Sequence, residues 1–409
     1  MSYKNPRFLI AVVVLMAAFN QAHAQEKEYY GSIDPQMRKV LIARAHVLKL
    51  LKPEVKEEDD KNNLTDKIDY VKFLSEKCGF EYSRDVNGLP VRPQVSCVYK
   101  PREKGDEFNG MTSKFDCTFT FQNKDGQVSE KTLKVKYEPK KHAGGGFKEV
   151  PQAVIGTGIA RLLGFYTGTY CPVDLTCKDC PSENPWAQGK SSAPALKGSV
   201  VEFKNVVVAI KQKGYNVVDS KNVNAEKQQG FKFDELTQTY IAKIDKTFQA
   251  AQRAERDALT LWMNFVVSGD ADHHNNKLLC VKSVKPANPQ DRPSCEISAA
   301  LINDYGNSFG YSDADTKLKL KKFSVNALWS GSEGAETTGA SGNARASGHI
   351  MSKQGRDLFV RNAESITDQQ LSDILNLAQI EKTSDSNVVS WIAAIRNKIQ
   401  KIKSVKMKE

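Results

Sequence analysis

Asp270, Asn275 and Asp304 are the side chains of this sequence best suited by type and spacing to do chemistry together. Asp270 opens the run Asp270-Ala271-Asp272-His273-His274-Asn275-Asn276, and Asp304 follows 34 residues later within Asn303-Asp304-Tyr305-Gly306. The pattern is an acid, an amide five positions on, two apolar runs, then a second acid before an aromatic and a glycine. It supplies a base and two oxygen ligands for a hard divalent cation. Phosphoryl transfer needs that set. One carboxylate accepts the proton of an attacking hydroxyl, while the amide and the second carboxylate hold Mg²⁺ against nucleotide phosphates. Gly306 gives the backbone freedom to turn after the metal-binding acid. Asp272 is the alternative base: counted from it, His274 stands two positions on and Lys277 five.

A phosphate anchor must come from upstream. Lys134 and Lys136 share one face of a strand, and a following helix opens with Glu149. Either lysine paired with that glutamate would position α- and β-phosphates. Phe115 to Phe121 alternates as a strand, Asn123 to Gly126 forms a hairpin turn, and Thr132 to Tyr137 returns. A glycine link at 144–146 precedes the helix, which runs from Glu149 to Leu163 and stops at Gly164. Two further strands, Tyr166 to Leu175 and Ser199 to Lys211, complete a small mixed, β-rich unit over 101–211. Residues 212–409 are mainly helical, with helices expected within Phe233 to Phe265, Ser352 to Ala363, Thr367 to Ala378 and Asn387 to Ile402. Short strands at Leu278 to Lys282 and Ala299 to Asn303 flank the space between the two acidic motifs, and Gly331 to Gly348 reads as a flexible tract. The expected class is therefore α+β.

Residues 1–24 read as a leader. Lys4 and Arg7 precede an apolar run from Phe8 to Phe19, and Ala22-His23-Ala24 has the small-x-small form of a cleavage site. That run is shorter than the roughly 20 residues a membrane span needs, so the expected product is exported, periplasmic or secreted, and not an integral membrane protein. Eight cysteines, an even number, suit an oxidising compartment. Cys280 and Cys295 flank a polar insert and are expected to pair, and Cys177-Lys178-Asp179-Cys180 reads as a structural bridge at a strand end. Zinc would need a second pair at similar spacing, which Cys171 does not supply. Residues 25–100 form a polar, partly helical extension. The net charge of +11 permits binding to anions, but no nucleic-acid signature accompanies it. Gly189-Lys190-Ser191 lacks the glycine a phosphate loop requires at Asn184, and Gly156-Thr157-Gly158 is an incomplete dinucleotide motif inside a helix. Asp272-His273-His274 has the letters of a manganese phosphoesterase motif without the earlier acidic pair that chemistry needs.

The order of these pieces resembles the atypical, kinase-like exported proteins of bacteria, distant relatives of the HipA-type, phosphatidylinositol and secretory-pathway kinases. The matching stretches are Asp270 to Cys280, Ile302 to Gly310, Leu133 to Tyr137, Arg161 to Phe165 and the run from Gly355 to Leu377. The resemblance implies a two-lobed protein-kinase-like fold with ATP in the cleft and a hydroxyl-bearing acceptor: protein, lipid or small molecule. It implies Lys136 or Lys134 with Glu149 at the nucleotide, Asp270 or Asp272 as base, and Asn275 with Asp304 on Mg²⁺. Gly105 to Lys114 is the candidate phosphate loop. ATP is scarce outside the cytoplasm, which leaves open an inactive pseudokinase, a ligand-binding module, or an adenylyl transferase on the same scaffold.

Overall fold

The structure, a computed structural model, describes residues 35–49, 68–102, 113–122, 125–138, 149–182, 185, 193–212, 215–216, 230–237, 241, 252–268, 276–284, 294–302, 304–310, 317–325, 328–329 and 349–407. Asp270, Asp272 and Asn275 lie outside these residues, as do the leader, the 331–348 tract and all but the end of the candidate phosphate loop. In chain order the first elements are α1 (Pro35–Ala43), α2 (Tyr70–Cys78), β1 (Ser83–Arg84), β2 (Pro90–Val91), β3 (Gln94–Lys100), β4 (Lys114–Gln122) and β5 (Val128–Lys136). Then come α3 (Glu149–Leu162), β6 (Thr169–Lys178), β7 (Val200–Ile210), β8 (Tyr215–Asn216) and α4 (Arg253–Phe265). The chain continues through β9 (Asn276–Val284), β10 (Ser294–Ile302), α5 (Leu320–Val325), α6 (Lys353–Glu364), α7 (Asp368–Leu377), α8 (Ile380–Thr383) and α9 (Val388–Ser404). The fold is α+β.

Five strands close into a barrel in the order β3-β4-β5-β7-β6. The β4–β5 hairpin runs in unbroken antiparallel register from Lys114 opposite Lys136 to Gln122 opposite Val128, and Gly126 supplies the turn with φ +78°. Alternation sends Phe115, Cys117 and Phe119 of β4 and Val135 of β5 into the core. Phe115 packs against Tyr99, Tyr137 and Phe203 at ring separations of 5.9, 5.6 and 5.3 Å, each pair adding about 0.5–1.5 kcal/mol beyond area burial. No strand was expected before Phe115. β3 lies within the stretch read as an extension, yet it pairs with β4 antiparallel and with β6 in parallel. Its partners are remote in sequence, so nothing near it announces the pairing.

β10, β9 and β8 form a second antiparallel sheet. Residues 46–48 run between this sheet and the end of α3: His46 N–H donates to Ser298 O at 2.9 Å, and Tyr166 N–H donates to Val47 O at 2.8 Å. The later helices begin where side chains satisfy their first amide groups. Ser352 caps α6, Thr367 and Gln370 form a reciprocal capping box on α7, and Asn387 caps α9.

Disulfides link Cys78–Cys171, Cys97–Cys117, Cys177–Cys180 and Cys280–Cys295. The last two are the pairings expected from the sequence. Cys280–Cys295 closes a loop of sequence separation 15, a constraint worth about 3 kcal/mol through the unfolded state. Among the described residues, no helix is long and apolar enough to cross a membrane.

Candidate active site

Two neighbouring segments and a third remote in sequence bring their charged groups together. Lys136 is the last residue of β5, Glu149 the first of α3, and Asp304 follows β10 by two positions. Lys136 Nζ donates to Asp304 Oδ2 at 2.9 Å and to Glu149 Oε2 at 3.4 Å. The lysine side chain is 5% exposed, Glu149 11% and Asp304 21%, so the cluster opens toward solvent on the Asp304 side. Lys136 Nζ also stands 5.2 Å from the centre of the Tyr170 ring. Burial works against the ammonium, but Asp304, Tyr170 and Glu149 outweigh it and raise the Lys136 pKa well above the usual lysine value. Burial likewise opposes the Asp304 carboxylate, and Lys136 more than compensates, holding it below the usual aspartate range.

Asp304 is held from behind. Gly306 N–H donates to its Oδ1 at 3.1 Å. The next residue, Tyr305, is fully buried; its hydroxyl accepts from Trp262 Nε1 of α4 at 3.2 Å. Its ring lies against α3 so closely that a Cβ on Gly156 would fall 2.4 Å from Tyr305 Cγ. A Cβ on Gly306 would fall 2.7 Å from Glu149 Cδ. The glycines of Gly156-Thr157-Gly158 are thus packing residues: Gly158 meets Tyr70 Oη and Ile374 in the same way. The Asp-Tyr-Gly turn, α3 and α4 therefore fix one another's positions.

Further cations border the cluster. Lys114 stands directly across the β4–β5 ladder from Lys136. Burial, with Lys136 second, pushes its pKa down to about 8. Lys134 lies two residues from Lys136 and opposite Asp116, and burial followed by Lys114 also pushes it to about 8. It is therefore Lys136 that meets Glu149, with Lys134 beside the pair. Asp116 is engaged by Arg102 at 2.7 Å. Lysines directly opposite each other repel across a ladder, and Glu149 and Asp304 offset part of that repulsion at Lys114.

Asn276, beside the sequence-selected Asn275, is fully buried at the start of β9, opposite Ile302 of β10. Its amide nitrogen donates to Phe231 O at 3.0 Å, and its Oδ1 has no hydrogen-bond partner among the described residues. The sequence reading missed it, and it missed Tyr170. The position of Lys114 was available, because a hairpin centred on Asp125 fixes which residue faces Lys136.

No family model matches the chain, and no curated protein matches it in sequence. Among solved structures it is similar to the crystal structure of a Helicobacter pylori proinflammatory kinase, CtkA, at 12% sequence identity and a TM-score of 0.35, over 76% of this chain and 94% of that one. A likeness at that level assigns no family.

Proposed function

We propose that the protein is an exported, kinase-like phosphotransferase that moves a phosphoryl group from ATP to a hydroxyl acceptor with Mg²⁺. The observation that carries this reading is the buried Lys136 ammonium bridging Glu149 and Asp304, which lie in different segments of the chain. A buried triad is weak as a stabilising device, because desolvation consumes most of its Coulomb energy. Clustered, perturbed groups of this kind are candidates for a functional site.

Each residue has a role in that reading. Glu149 holds the Lys136 ammonium aimed at the nucleotide, and Lys136 exchanges its bond to Asp304 for phosphate oxygens as ATP enters. Lys114 and Lys134 meet the remaining phosphate charge, which relieves their mutual repulsion. Asp304, released from the lysine, is a hard oxygen donor on the solvent-open side of the cluster. The amide would come from Asn275 or from the orphaned oxygen of Asn276, and this donor set fits Mg²⁺. Bound Mg²⁺ would neutralise charge on the transferred phosphoryl oxygens. Asp270, or Asp272, accepts the proton of the attacking hydroxyl.

The test is Mg²⁺-dependent ATP binding by calorimetry together with autophosphorylation or phosphate release, each compared with Asp304→Ala. The wild-type chain is expected to bind and turn over, and the variant to lose about 10³-fold in rate, the scale of a lost transition-state charge interaction. Labelled AMP on protein in place of phosphate would replace phosphoryl transfer with adenylyl transfer. Binding without turnover in either form would leave a pseudokinase.

ATP affinity should also depend on pH. With Lys114 and Lys134 near 8 in the free protein, a bound polyphosphate favours their charged forms. Binding near pH 8 should therefore take up protons, and affinity should weaken as pH rises from 7 to 9. Calorimetry in buffers of different ionisation enthalpy measures that uptake; none would remove these two lysines from the phosphate site.

A further inference from the structure

Lys398 of α9 is a buried amine outside the cluster around Lys136. It is 2% exposed, and its Nζ donates to Phe265 O at the end of α4 at 2.6 Å and to Phe323 O of α5 at 3.1 Å. The same atom stands 5.0 and 4.1 Å from the centres of the Phe265 and Phe323 rings. A charge this buried is ordinarily paired with an opposite charge. Here the charge that reaches it is Lys401 of its own helix, which repels. α4 and α5 face it with those carbonyls and rings, and among the described residues no carboxylate from α4, α5, α6 or α7 compensates it. Burial, with Lys401 second, pushes the Lys398 pKa down to about 7. A methionine would fill the space without the desolvation cost, so packing alone does not account for an amine here.

The two carbonyls belong to segments that meet beside the Asp304 turn. Val266 O, next to Phe265, accepts from Phe309 N–H at 2.6 Å, and the Phe309 ring lies 5.7 Å from that of Phe323. Val267 and Phe309 have φ of +58° and +57°. A β-branched or bulky residue keeps that left-handed conformation only when its surroundings impose it. A Cβ on Gly310 would fall 2.6 Å from Phe323 N, so α5 is pressed onto the same loop. One amine thus ties α9 to the chain that leaves α4 toward Asp270 and, through Phe323, to the chain that leaves Asp304.

We propose that Lys398 is a positioning residue, whose bonds to the Phe265 and Phe323 carbonyls hold the Asp304-Tyr305-Gly306 turn and the end of α4 in their working geometry. Its hold on the turn is independent of the phosphotransferase reading, on which only the effect on transfer rests. Opening the clamp exposes the amine and returns it to the usual lysine value of 10.5. Opening therefore takes up a proton between about pH 7 and 10.5, and becomes harder as pH rises through that window.

Hydrogen exchange of residues 304–310, divided by the intrinsic rate at each pH, reads the clamp directly. Wild-type protection should rise by up to about 10-fold per pH unit between 8 and 9. Lys398→Met should lose that rise and exchange about 10-fold faster at pH 7, because two buried carbonyls lose their donor. At saturating ATP its kcat should fall about 10-fold or more while ATP affinity stays within about twofold. Lys398→Gln, which keeps a donor without a titration, serves if the methionine variant does not fold. Wild-type protection that stays flat from pH 7 to 9 overturns the proposal, as does a folded variant with unchanged protection. Unchanged kcat in a variant that has lost protection overturns the role in transfer. Lost protection in the variant of a chain whose wild type transfers nothing upholds the clamp and removes only the phosphotransferase reading.

Discussion

Lys136→Met is expected to lower Mg²⁺-dependent phosphoryl transfer by about 10²–10³-fold, the cost of removing one preorganised charge from a transferring group. It should also destabilise the fold by about 3–5 kcal/mol, because Glu149 and Asp304 are left as buried carboxylates without their shared partner. The two effects are separable. Adding Glu149→Gln to Lys136→Met removes one of the stranded charges, so most of the stability should return while transfer stays low. Denaturant midpoints and initial rates, measured on the same preparations, decide the matter. Near wild-type transfer in the single variant would remove Lys136 from the phosphate site. Unchanged stability would mean the carboxylates are not the compensated buried pair described above.

Asp257→Ala should be the largest single loss of stability away from the cluster, about 3–5 kcal/mol. Asp257 sits in α4, and its side chain is only 2% exposed. Its Oδ1 lies 2.8 Å from His349 Nε2, and its Oδ2 accepts from Ser352 N–H at 2.8 Å. A Cβ on Gly355 would come within 2.3 Å of Asp257 Cβ, so the start of α6 is pressed against this one carboxylate. Burial would raise its pKa, but His349 and Ser352 more than offset that and hold it below the usual value. The folded value therefore lies below the unfolded one of about 3.9. The contribution is complete above the unfolded value and disappears as pH falls through the folded one. The gap between wild type and Asp257→Asn in urea midpoints should accordingly be wide at pH 7 and narrower near pH 3. An Asp257→Ala variant within about 1 kcal/mol of wild type at pH 7 would show that α6 is pinned elsewhere.

The consequence reaches past stability. α4 carries Trp262, which donates to the Tyr305 hydroxyl, and α4 ends a few residues before Asp270. The Phe265 carbonyl near that end accepts from the buried Lys398 of α9 at 2.6 Å. β5, α3 and α4 thus converge on one turn, Asp304-Tyr305-Gly306, α9 is bound to the end of α4, and disturbing α4 should be felt at that turn.

What the sequence determined by itself is what short-range chemistry determines. Alternation and a glycine turn place Lys136 at the end of a hairpin strand. A run of apolar residues opened by Glu149 and stopped at Gly164, with φ +87°, gives a buried helix. An acid before an aromatic and a glycine gives a turn that folds back on its own carboxylate. Each of these follows from residues in one continuous stretch of the chain, so each could be read from that stretch. The tertiary structure decided everything that needs a partner from elsewhere. It brought Lys136 within reach of Glu149 at the first turn of α3. It made β3 a barrel strand by pairing it with β6, about eighty residues away. It turned Gly156 from a fragment of a nucleotide motif into the seat of Tyr305, and it set the Cys97–Cys117 bridge beside the Cys177–Cys180 bridge. The reason is common to all four: packing and charge act through space at a few ångströms, and the chain carries no local record of which distant residue will occupy that space.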